Sequence, residues 1–311
     1  MSDESLADTA EFPVADCQKA LKEPREHSSL VKVDFAAKSD IGKVRHNNED
    51  SYLIFRTARF WEKIATSLPE DALPNRFEET AYVLAVADGM GGMAAGEVAS
   101  AMALRTGVHL ILQSVKWAHK LDHPNERDRE LHEGMERARK YFNDINLKVN
   151  REATNNPKLS GMGTTLTAAF TFGTDLLVTH IGDSRAYLLH NGSLEQLTTD
   201  HTVAQTLVDQ GQISKKEAAQ HHSRHVLTKS IGGEPDELEP HFAQRKLSNG
   251  DWLLLCSDGL TDHVEDDLIT RILLENSTAK GAVNKLVDRA LKNGGRDNVT
   301  VVLGKYTIPE S

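Results

Sequence analysis

The sequence predicts a protein of the α+β class, in which strands form hairpins and helices lie against a sheet. Three observations favour this class. Apolar runs of strand length recur along the chain and end in polar turns. The dipeptide Asn191-Gly192 separates two such runs, as is typical of a tight hairpin. Apolar residues spaced alternately four and three positions apart from Leu131 to Val149 indicate one face of a long helix.

The boundaries of the predicted elements follow from these patterns. Alternating or continuous apolar runs give the predicted strands, at residues 31–35, 52–55, 82–87, 164–170, 176–181, 185–190, 193–197, 252–256 and 299–304. Helical spacing of apolar residues gives the predicted helices, at residues 96–117, 131–149, 266–275 and 282–291. Ser214 and Glu217 have the spacing of a capping box, which predicts that a further short helix begins there.

The domain organisation is expected to be simple, with a single folded domain at residues 31–308. Residues 1–30 are polar and acid-rich without periodicity, so we expect a disordered tail. Residues 56–80 interrupt the predicted strands with a mixed sequence, which we interpret as an insertion. Residues 200–233 contain two short helical patterns and a polar tract, which predicts a mobile flap.

The composition argues against several classes of protein. Lys and Arg number 36 against 46 Asp and Glu, which gives a formal net charge of −10. We therefore expect no nucleic-acid partner, because sequence-independent binding requires basic side chains to neutralise phosphates. The cysteines, Cys17 and Cys256, suggest no disulfide framework, and the sequence shows neither a signal-peptide pattern nor an apolar run of membrane-spanning length. We expect a soluble cytoplasmic protein with no membrane contact, and a monomer as the simplest state.

Acidic residues stand at the ends of the predicted strands. Asp88 follows an apolar run and precedes Gly89, whose missing Cβ leaves its backbone carbonyl free to approach a ligand. Further acids lie at strand ends or in the loop between the first two strands, at Asp183, Asp258, Asp297, Glu49 and Asp50. If the strand ends converge, their oxygens form a site that suits Mg²⁺ or Mn²⁺ better than Zn²⁺.

Repulsion among clustered carboxylates would be offset by bound cations, and two ions are the natural inference. Two such ions would acidify a water for attack on phosphorus and hold a phosphoryl oxygen. Arg45 precedes Glu49 in the loop and carries a guanidinium that can grip phosphate through paired hydrogen bonds. Taken alone, Asp88-Gly89 would equally fit an ordinary turn.

Seven short motifs occur in one order along residues 35–305, and together they carry a resemblance that none of them carries alone. They are Arg45-His-Asn-Asn-Glu49-Asp50, Asp88-Gly-Met-Gly-Gly92, Gly163-Thr-Thr165, Gly182-Asp-Ser-Arg185, Ser230-Ile-Gly-Gly233, Ser257-Asp-Gly-Leu260 and Asp297-Asn298. In this order they resemble the metal-dependent protein phosphatase family, type 2C, in its bacterial form. The resemblance implies a central β-sandwich of two antiparallel sheets flanked by helices. It also implies hydrolysis of phosphoserine and phosphothreonine in proteins, and a Ser/Thr protein kinase in the same signalling pathway.

The resemblance further implies a role for each matching residue. Asp88 would bridge two Mn²⁺ or Mg²⁺ ions, with the carbonyl of Gly89 on one of them. Asp258 and Asp297 would complete the ligands of the other ion. Arg45 would bind the phosphate, so Arg45 and Asp88 are the expected catalytic residues.

Four further residues receive roles on the same ground. Glu49 would act through a water on the metal, and Asp183 together with Asp258 would hold a third, looser ion. Asp50 and Asn298 would support the ligands.

The general acid stays unassigned. Animal members of the family carry a His directly after the Asp-Gly pair, whereas Met90 stands at that position here, as in bacterial members. His221, His222 and His225 lie in the predicted flap, and the i, i+4 pair could ligate a metal. We expect them to be exposed flap residues, because no further ligand accompanies them in the sequence.

Two other functions are weighed against the phosphatase. Gly182-Asp-Ser184 superficially resembles the nucleophile turn of a serine hydrolase, but no Gly-x-Ser-x-Gly elbow occurs and the many acids would have no role. A pseudophosphatase would bind phosphoproteins without turnover. The presence of Asp88, Asp258 and Asp297 disfavours that alternative, because a decayed site would be expected to lose its ligands first.

Overall fold

Two antiparallel sheets packed face to face form the centre of the fold. The computed structural model describes residues 31–69, 72–73, 75–91, 95–113, 124–233 and 237–308. The predicted tail at residues 1–30 lies outside the described residues. Helices cover the outer faces of both sheets, so the expected α+β sandwich is confirmed.

In the described part of the chain, eleven strands make up the two sheets. They are β1 (Lys32–Asp40), β2 (Asp50–Glu62), β3 (Arg76–Met90), β4 (Gly163–Thr164), β5 (Leu166–Phe172), β6 (Asp175–Ile181), β7 (Arg185–His190), β8 (Ser193–Gln196), β9 (His241–Lys246), β10 (Trp252–Cys256) and β11 (Val299–Thr307). The five-stranded sheet has the order β1-β11-β10-β7-β8. The six-stranded sheet has the order β2-β3-β5-β6-β9, with the short β4 paired to β3.

The α-helices are α1 (Ala95–Gln113), α2 (Pro124–Asn155), α3 (Val203–Asp209), α4 (Lys215–Ala218), α5 (Asp258–Thr261), α6 (Asp266–Leu274) and α7 (Ala279–Lys292). The capping box predicted at Ser214 is present, with the side chains of Ser214 and Glu217 each bonded to the other's backbone N–H. Among the described residues, no helix has both the length and the apolar character needed to cross a bilayer.

The core follows from the two-residue period of the strands, which β3 shows most clearly. Leu84 and Val86 point into the space between the two sheets. Ala85 and Ala87 point the opposite way, toward α1 and α2, where their small side chains allow the helices to pack closely. Each of these four residues is at most 4% exposed. One strand therefore contributes to two cores, and its end is held firmly between them.

The interpretation of residues 56–80 as an insertion was wrong in extent. Strand β2 continues to Glu62 and β3 begins at Arg76, and these two residues are paired in register. The outer part of this hairpin exposes Phe60 (63%) and, just past β2, Ile64 (89%), so burial does not impose an alternating sequence at these positions. Only residues 63–75 connect the strands.

Strand β9 had no counterpart among the predicted strands. It lies at the edge of the six-stranded sheet, beside β6. Its last three residues are exposed, so the apolar pattern that marks central strands is missing.

His180 at the end of β6 and His201, whose ring stacks on it, make the stability of the fold depend on pH. His180 is fully buried, and its ring stacks on that of His201 with 5.1 Å between centroids. Burial, reinforced by the charges of neighbouring histidines, holds the pKa of His180 well below its usual value. Burial and the charge of Lys229 lower the pKa of His201 to about 4.

We expect the free energy of unfolding to fall as the pH drops from about 6.5 toward 4. In this range the unfolded chain binds protons that the folded chain does not, so stability is fully present above the unfolded pKa and is lost on acidification. At about pH 5.5 the loss due to His201 alone should be about 1 kcal/mol. Chemical unfolding of the wild type and of His201→Gln at about pH 7.5 and 5.5 checks this. An equal pH dependence in the two proteins would contradict it.

Candidate active site

An open cleft of about 1040 Å³ lies at one end of the sandwich and gathers seven of the nine predicted site residues. The residues in its lining are Arg45, Glu49, Asp88, Gly89, Asp183, Asp258 and Asp297. The other two, Asp50 and Asn298, are buried and contact residues of the lining or their neighbours.

Antiparallel pairing explains why acids far apart in sequence meet here. Cys256 at the end of β10 pairs with Val301 of β11, so Asp258 follows one strand at the same edge where Asp297 precedes the other. In the facing sheet, the first residue of β2, Asp50, is the Cα partner of Asp88 near the end of β3. The register of two strand pairs therefore fixes the positions of four acids.

The Gly163-Thr-Thr165 motif fixes Asp88 through its main chain. The backbone N–H of Asp88 donates to Oγ1 of Thr165 (2.9 Å), and its carbonyl accepts from the backbone N–H of Thr165 and from Oγ1 of Thr164, both at 2.9 Å. The carboxylate takes no part in these bonds and stays free to bind a ligand.

Close backbone packing explains the glycine after Asp88. A Cβ on Gly89 would lie 2.1 Å from the carbonyl oxygen of Gly96 and 2.7 Å from that of Glu49. The N–H of Gly89 donates to the same Glu49 carbonyl (3.2 Å). Gly89 is therefore required by the approach of α1 and of the loop before β2, whatever its carbonyl binds.

The side chain of Asn298 holds the loop that carries Arg45 and Glu49. Its Nδ2 donates to the carbonyls of Ile41 and Asn47, both at 2.9 Å. Its Oδ1 accepts from the N–H of Glu49 at 2.8 Å. One amide thereby fixes both ends of the loop beside Asp297.

The hydroxyl of Ser257 holds the carboxylate of Asp50 behind the cleft. Oγ of Ser257 donates to Oδ2 of Asp50 (2.7 Å) and accepts from the N–H of Thr300 (3.0 Å). Oδ1 of Asp50 is buried and has no hydrogen-bond partner among the described residues. Burial raises the pKa of Asp50 to about 7, and the charges of Asp258 and Asp297 add to the rise.

The electrostatics of the cleft favour a bound cation. Burial, together with the charges of neighbouring carboxylates, raises the pKa of Asp88 and of Asp183 well above the usual value. Burial also raises the pKa of Glu49. These raised pKa values mean that burial and the neighbouring negative charges disfavour the charged form of each carboxylate. A divalent cation bound among the carboxylates would favour the charged form and lower the pKa values again. The oxygen atoms of these carboxylates, together with the unpartnered Oδ1 of Asp50 behind them, are the type of ligand that hard divalent ions prefer.

Arg45 lies at the mouth of the cleft, where Nη2 contacts Oδ2 of Asp297 at 2.6 Å. Both side chains are partly exposed, at 53% and 34%. The guanidinium is therefore accessible to a phosphate that enters beside the acids.

The model of the protein phosphatase 2C family matches residues 64–294 of the chain. The chain belongs to the protein phosphatase 2C family. The family predicted from the seven motifs is thereby confirmed.

Curated relatives of this phosphatase 2C chain carry matching names. It is 40% identical over 270 residues to the serine/threonine protein phosphatase PstP of Mycobacterium tuberculosis, a match that covers 86% of this chain and 44% of that protein. It is 34% identical over 266 residues to the serine/threonine phosphatase stp of Listeria monocytogenes, covering 86% of this chain and 93% of that protein. The chain thus spans less than half the length of the M. tuberculosis relative.

Solved structures of phosphatase 2C proteins share the fold. The catalytic domain of PstP in complex with two manganese ions has a TM-score of 0.67 and 35% identity, over 89% of this chain and 99% of that one. Stp1 from Staphylococcus aureus has a TM-score of 0.72 and 31% identity, over 90% and 96% of the two chains.

Two further residues in the cleft lining of this phosphatase 2C chain, His225 and Asp262, were not among the predicted site residues. Nδ1 of His225 lies 3.2 Å from Oδ2 of Asp258, and its Nε2 lies 3.2 Å from Oδ2 of Asp262. His225 is exposed, as expected, and two acids lie beside it although no further ligand accompanied the flap histidines in the sequence. The spacing of Asp258 and Asp262, four residues apart, was the available signal that both face one side. The contact of His225 with Asp258 and Asp262 depends on the tertiary fold of the flap, which the sequence pattern does not show.

Proposed function

We propose that the chain is a metal-dependent protein serine/threonine phosphatase, which hydrolyses the phosphoric monoesters of phosphoserine and phosphothreonine. The observation that carries this proposal is the meeting of buried, mutually repelling carboxylates and a partly exposed arginine in one open cleft. The names of the relatives support the same activity. Two manganese ions in the PstP catalytic domain support the choice of cofactor, as Mn²⁺ or Mg²⁺.

The residues that would hold the ions divide between the two sheets. Asp88 and the Gly89 carbonyl come from the six-stranded sheet, and Asp258 and Asp297 come from the ends of β10 and β11. When bound, the ions would supply Lewis-acid polarisation of the phosphoryl group and a more acidic water. Glu49 lies in the same lining and would orient that water.

The protein's own groups bind and orient the substrate. Arg45 would donate paired hydrogen bonds to the phosphate in exchange for its present contact with Asp297. Asp50 bonds to Ser257, the residue before Asp258, and Asn298 bonds to the 41–49 loop, which carries Glu49. These bonds would keep Asp258 and Glu49 in position as substrate enters. Met90, in the cleft lining, offers no proton to the leaving serine or threonine oxygen, so that proton would come from water.

Replacing Arg45 with glutamine is expected to lower kcat/KM by about 10- to 100-fold, since hydrogen bonds to charged groups contribute about 1.5–3 kcal/mol. Most of the loss should appear in KM, because the guanidinium binds the phosphate before and during the reaction. Steady-state kinetics on a phosphothreonine peptide measures both terms. Arg245→Gln is the control, because Arg245 of β9 pairs with Glu195 of β8 at the surface, outside the cleft lining. An unchanged KM in Arg45→Gln would remove Arg45 from the phosphate site.

The activity itself is tested with a phosphothreonine peptide and an aryl phosphate, each assayed with Mn²⁺, with Mg²⁺ and with excess chelator. We expect turnover with metal and none with chelator. Turnover that persists in chelator would rule out the metal mechanism. Peptide binding without hydrolysis under every metal condition would identify a pseudophosphatase instead.

We also propose a cellular setting. A phosphatase of this specificity acts on phosphorylated proteins, and its natural counterpart is a Ser/Thr protein kinase in the same pathway. A cytoplasmic location and a monomeric state are part of the proposal. The free, buried thiol of Cys256 is consistent with a reducing compartment. Sedimentation of the purified protein tests the monomer, and phosphoproteomes of cells with and without the active chain test the substrates.

A further inference from the structure

The cleft is larger than a single phosphorylated side chain requires. Its volume is about 1040 Å³, and pockets that hold a drug-sized ligand measure about 300–1,000 Å³. The proposed metal ligands form only part of its lining. Room therefore remains for the residues on either side of a phosphoserine or phosphothreonine, and the other side chains of the lining can select among them.

Three arginines lie in the described lining of the cleft, and two of them are paired with an acid. Nη2 of Arg45 contacts Oδ2 of Asp297 at 2.6 Å, and Nη2 of Arg224 contacts Oδ2 of Asp262 at 3.5 Å. The third, Arg296, is exposed, and its side chain forms no ion pair or hydrogen bond with any residue that the structure describes. Its positive charge is therefore available to a group that enters the cleft.

The main chain around Arg296 is packed closely against the loop before β2. The N–H of Lys43 donates to the carbonyl of Gly295 at 2.7 Å. A Cβ on Gly42 would lie 2.2 Å from the carbonyl oxygen of Asp297, so the two segments touch. The side chain of Arg296 therefore extends from a fixed point beside the proposed metal ligands, and binding through it requires little ordering of the backbone.

We propose that Arg296 binds a second negative group of the substrate, so that the chain prefers phosphoserine or phosphothreonine with an acidic side chain or another phosphate two residues away. This inference rests on the proposed function and names the substrate class of the same cleft. A guanidinium binds both carboxylate and phosphate through paired hydrogen bonds.

The spacing of two residues follows from the geometry of an extended peptide. Side chains two residues apart point to the same side of such a peptide, and their Cα atoms lie about 6.7 Å apart. Arg45 and Arg296 likewise lie on one side of the cleft, because Arg45 contacts Asp297, the residue that follows Arg296. Arg45 binds the phosphate that is removed, and Arg296 binds the second group.

The net charge of the chain makes this preference depend on a local cation. The formal charge is −10, so the protein as a whole repels an acidic peptide. The rival interpretation is that Arg296 only faces solvent, or only offsets the charge of Asp297 beside the ions. In either case an acid in the substrate would lower the rate rather than raise it.

Phosphothreonine peptides with a glutamine, a glutamate or a phosphoserine two residues away separate these interpretations. Each peptide is made in two versions, with that residue before or after the phosphothreonine, and loss of the phosphothreonine phosphate at saturating Mn²⁺ is followed by mass spectrometry. In one version we expect kcat/KM to be about 2- to 5-fold higher for the glutamate peptide than for the glutamine peptide at low salt. The gain should shrink as salt is added. A larger gain with phosphoserine assigns the site to a second phosphate, and an equal gain assigns it to acidic groups in general.

Arg296→Gln should reduce the glutamate-to-glutamine ratio to about 1 or below, and Arg296→Glu should make the glutamine peptide the better substrate. Arg289→Gln is the matched control, because Arg289 is an exposed arginine of α7 outside the cleft lining. It should keep the wild-type ratio.

Two results would overturn the inference. One is a wild type that favours neither charged peptide in either version, and the other is an Arg296→Gln protein that slows all three peptides equally. If no peptide is hydrolysed under any metal condition, the proposed function fails instead. Equilibrium binding of the same labelled peptides to the full chain then decides the role of Arg296 by the same ratio.

Discussion

Replacing Asp88 with asparagine is expected to reduce metal-dependent hydrolysis of a phosphothreonine peptide by about 10³-fold or more, because polarisation by the ions contributes several kcal/mol to the transition state. Asparagine keeps the size of the side chain, and the hydrogen bonds that fix residue 88 belong to its main chain. The fold should therefore survive. In chelator the variant should unfold at the same or a higher temperature, since one buried, repelled carboxylate is gone.

Asp288→Asn is the matched control for this experiment. Asp288 is 57% exposed and pairs with Lys38, outside the cleft lining. It should retain wild-type activity and metal affinity. If Asp88→Asn kept more than about a tenth of the activity, the two-ion arrangement around Asp88 would have to be abandoned.

Replacing Gly259 with alanine is expected to destabilise the protein by about 3 kcal/mol, at the upper end of the cost of overpacking. The added Cβ would lie 1.9 Å from the carbonyl oxygen of Asn298, and a backbone atom cannot rotate away as a flexible side chain can. For a domain of this size the melting temperature should drop by about 6–12 °C. Asp258 and Asp297 flank the clash, so affinity for Mn²⁺ should fall as well.

Gly134→Ala provides the comparison. Gly134 lies within α2, and its added Cβ would meet only Cδ2 of Leu177, at 3.9 Å. Alanine is favoured over glycine in helices, so this variant should be as stable as the wild type or slightly more stable. Differential scanning calorimetry with and without Mn²⁺ measures both variants. A Gly259→Ala protein as stable as Gly134→Ala would show that the turn after β10 can shift freely.

Local pattern was sufficient to predict strands, helices and the set of acids at strand ends, whereas the sandwich of two sheets was expected from the family resemblance. Strand periodicity marks β3, β10 and β11, and an acid after or before an apolar run is visible without coordinates. The extent of the β2–β3 hairpin was not predictable in this way. Its outer part is paired through the backbone and exposes Phe60, so an alternating apolar pattern does not mark it in the sequence.

The surroundings of the acids were less predictable than the acids themselves. Asp50 was expected to have a supporting role, but its bond to Ser257 joins two sheets and no spacing indicates it. The contact of His225 with Asp258 and Asp262 depends on how the flap folds back over the cleft edge. Such contacts between distant segments are fixed by tertiary packing, which short motifs do not encode.

The amide of Asn298 has a mechanical consequence for the reaction. The amide holds the segment that carries Arg45, the proposed phosphate-binding residue, and Glu49, the proposed water-orienting residue, so the backbone positions of the two residues are coupled. An interaction that orders Glu49 would therefore also order Arg45. Binding of the metal ion would then place the guanidinium in position for the phosphate before the phosphoprotein binds. Cofactor and substrate would then reinforce each other's binding through three hydrogen bonds made by one uncharged side chain.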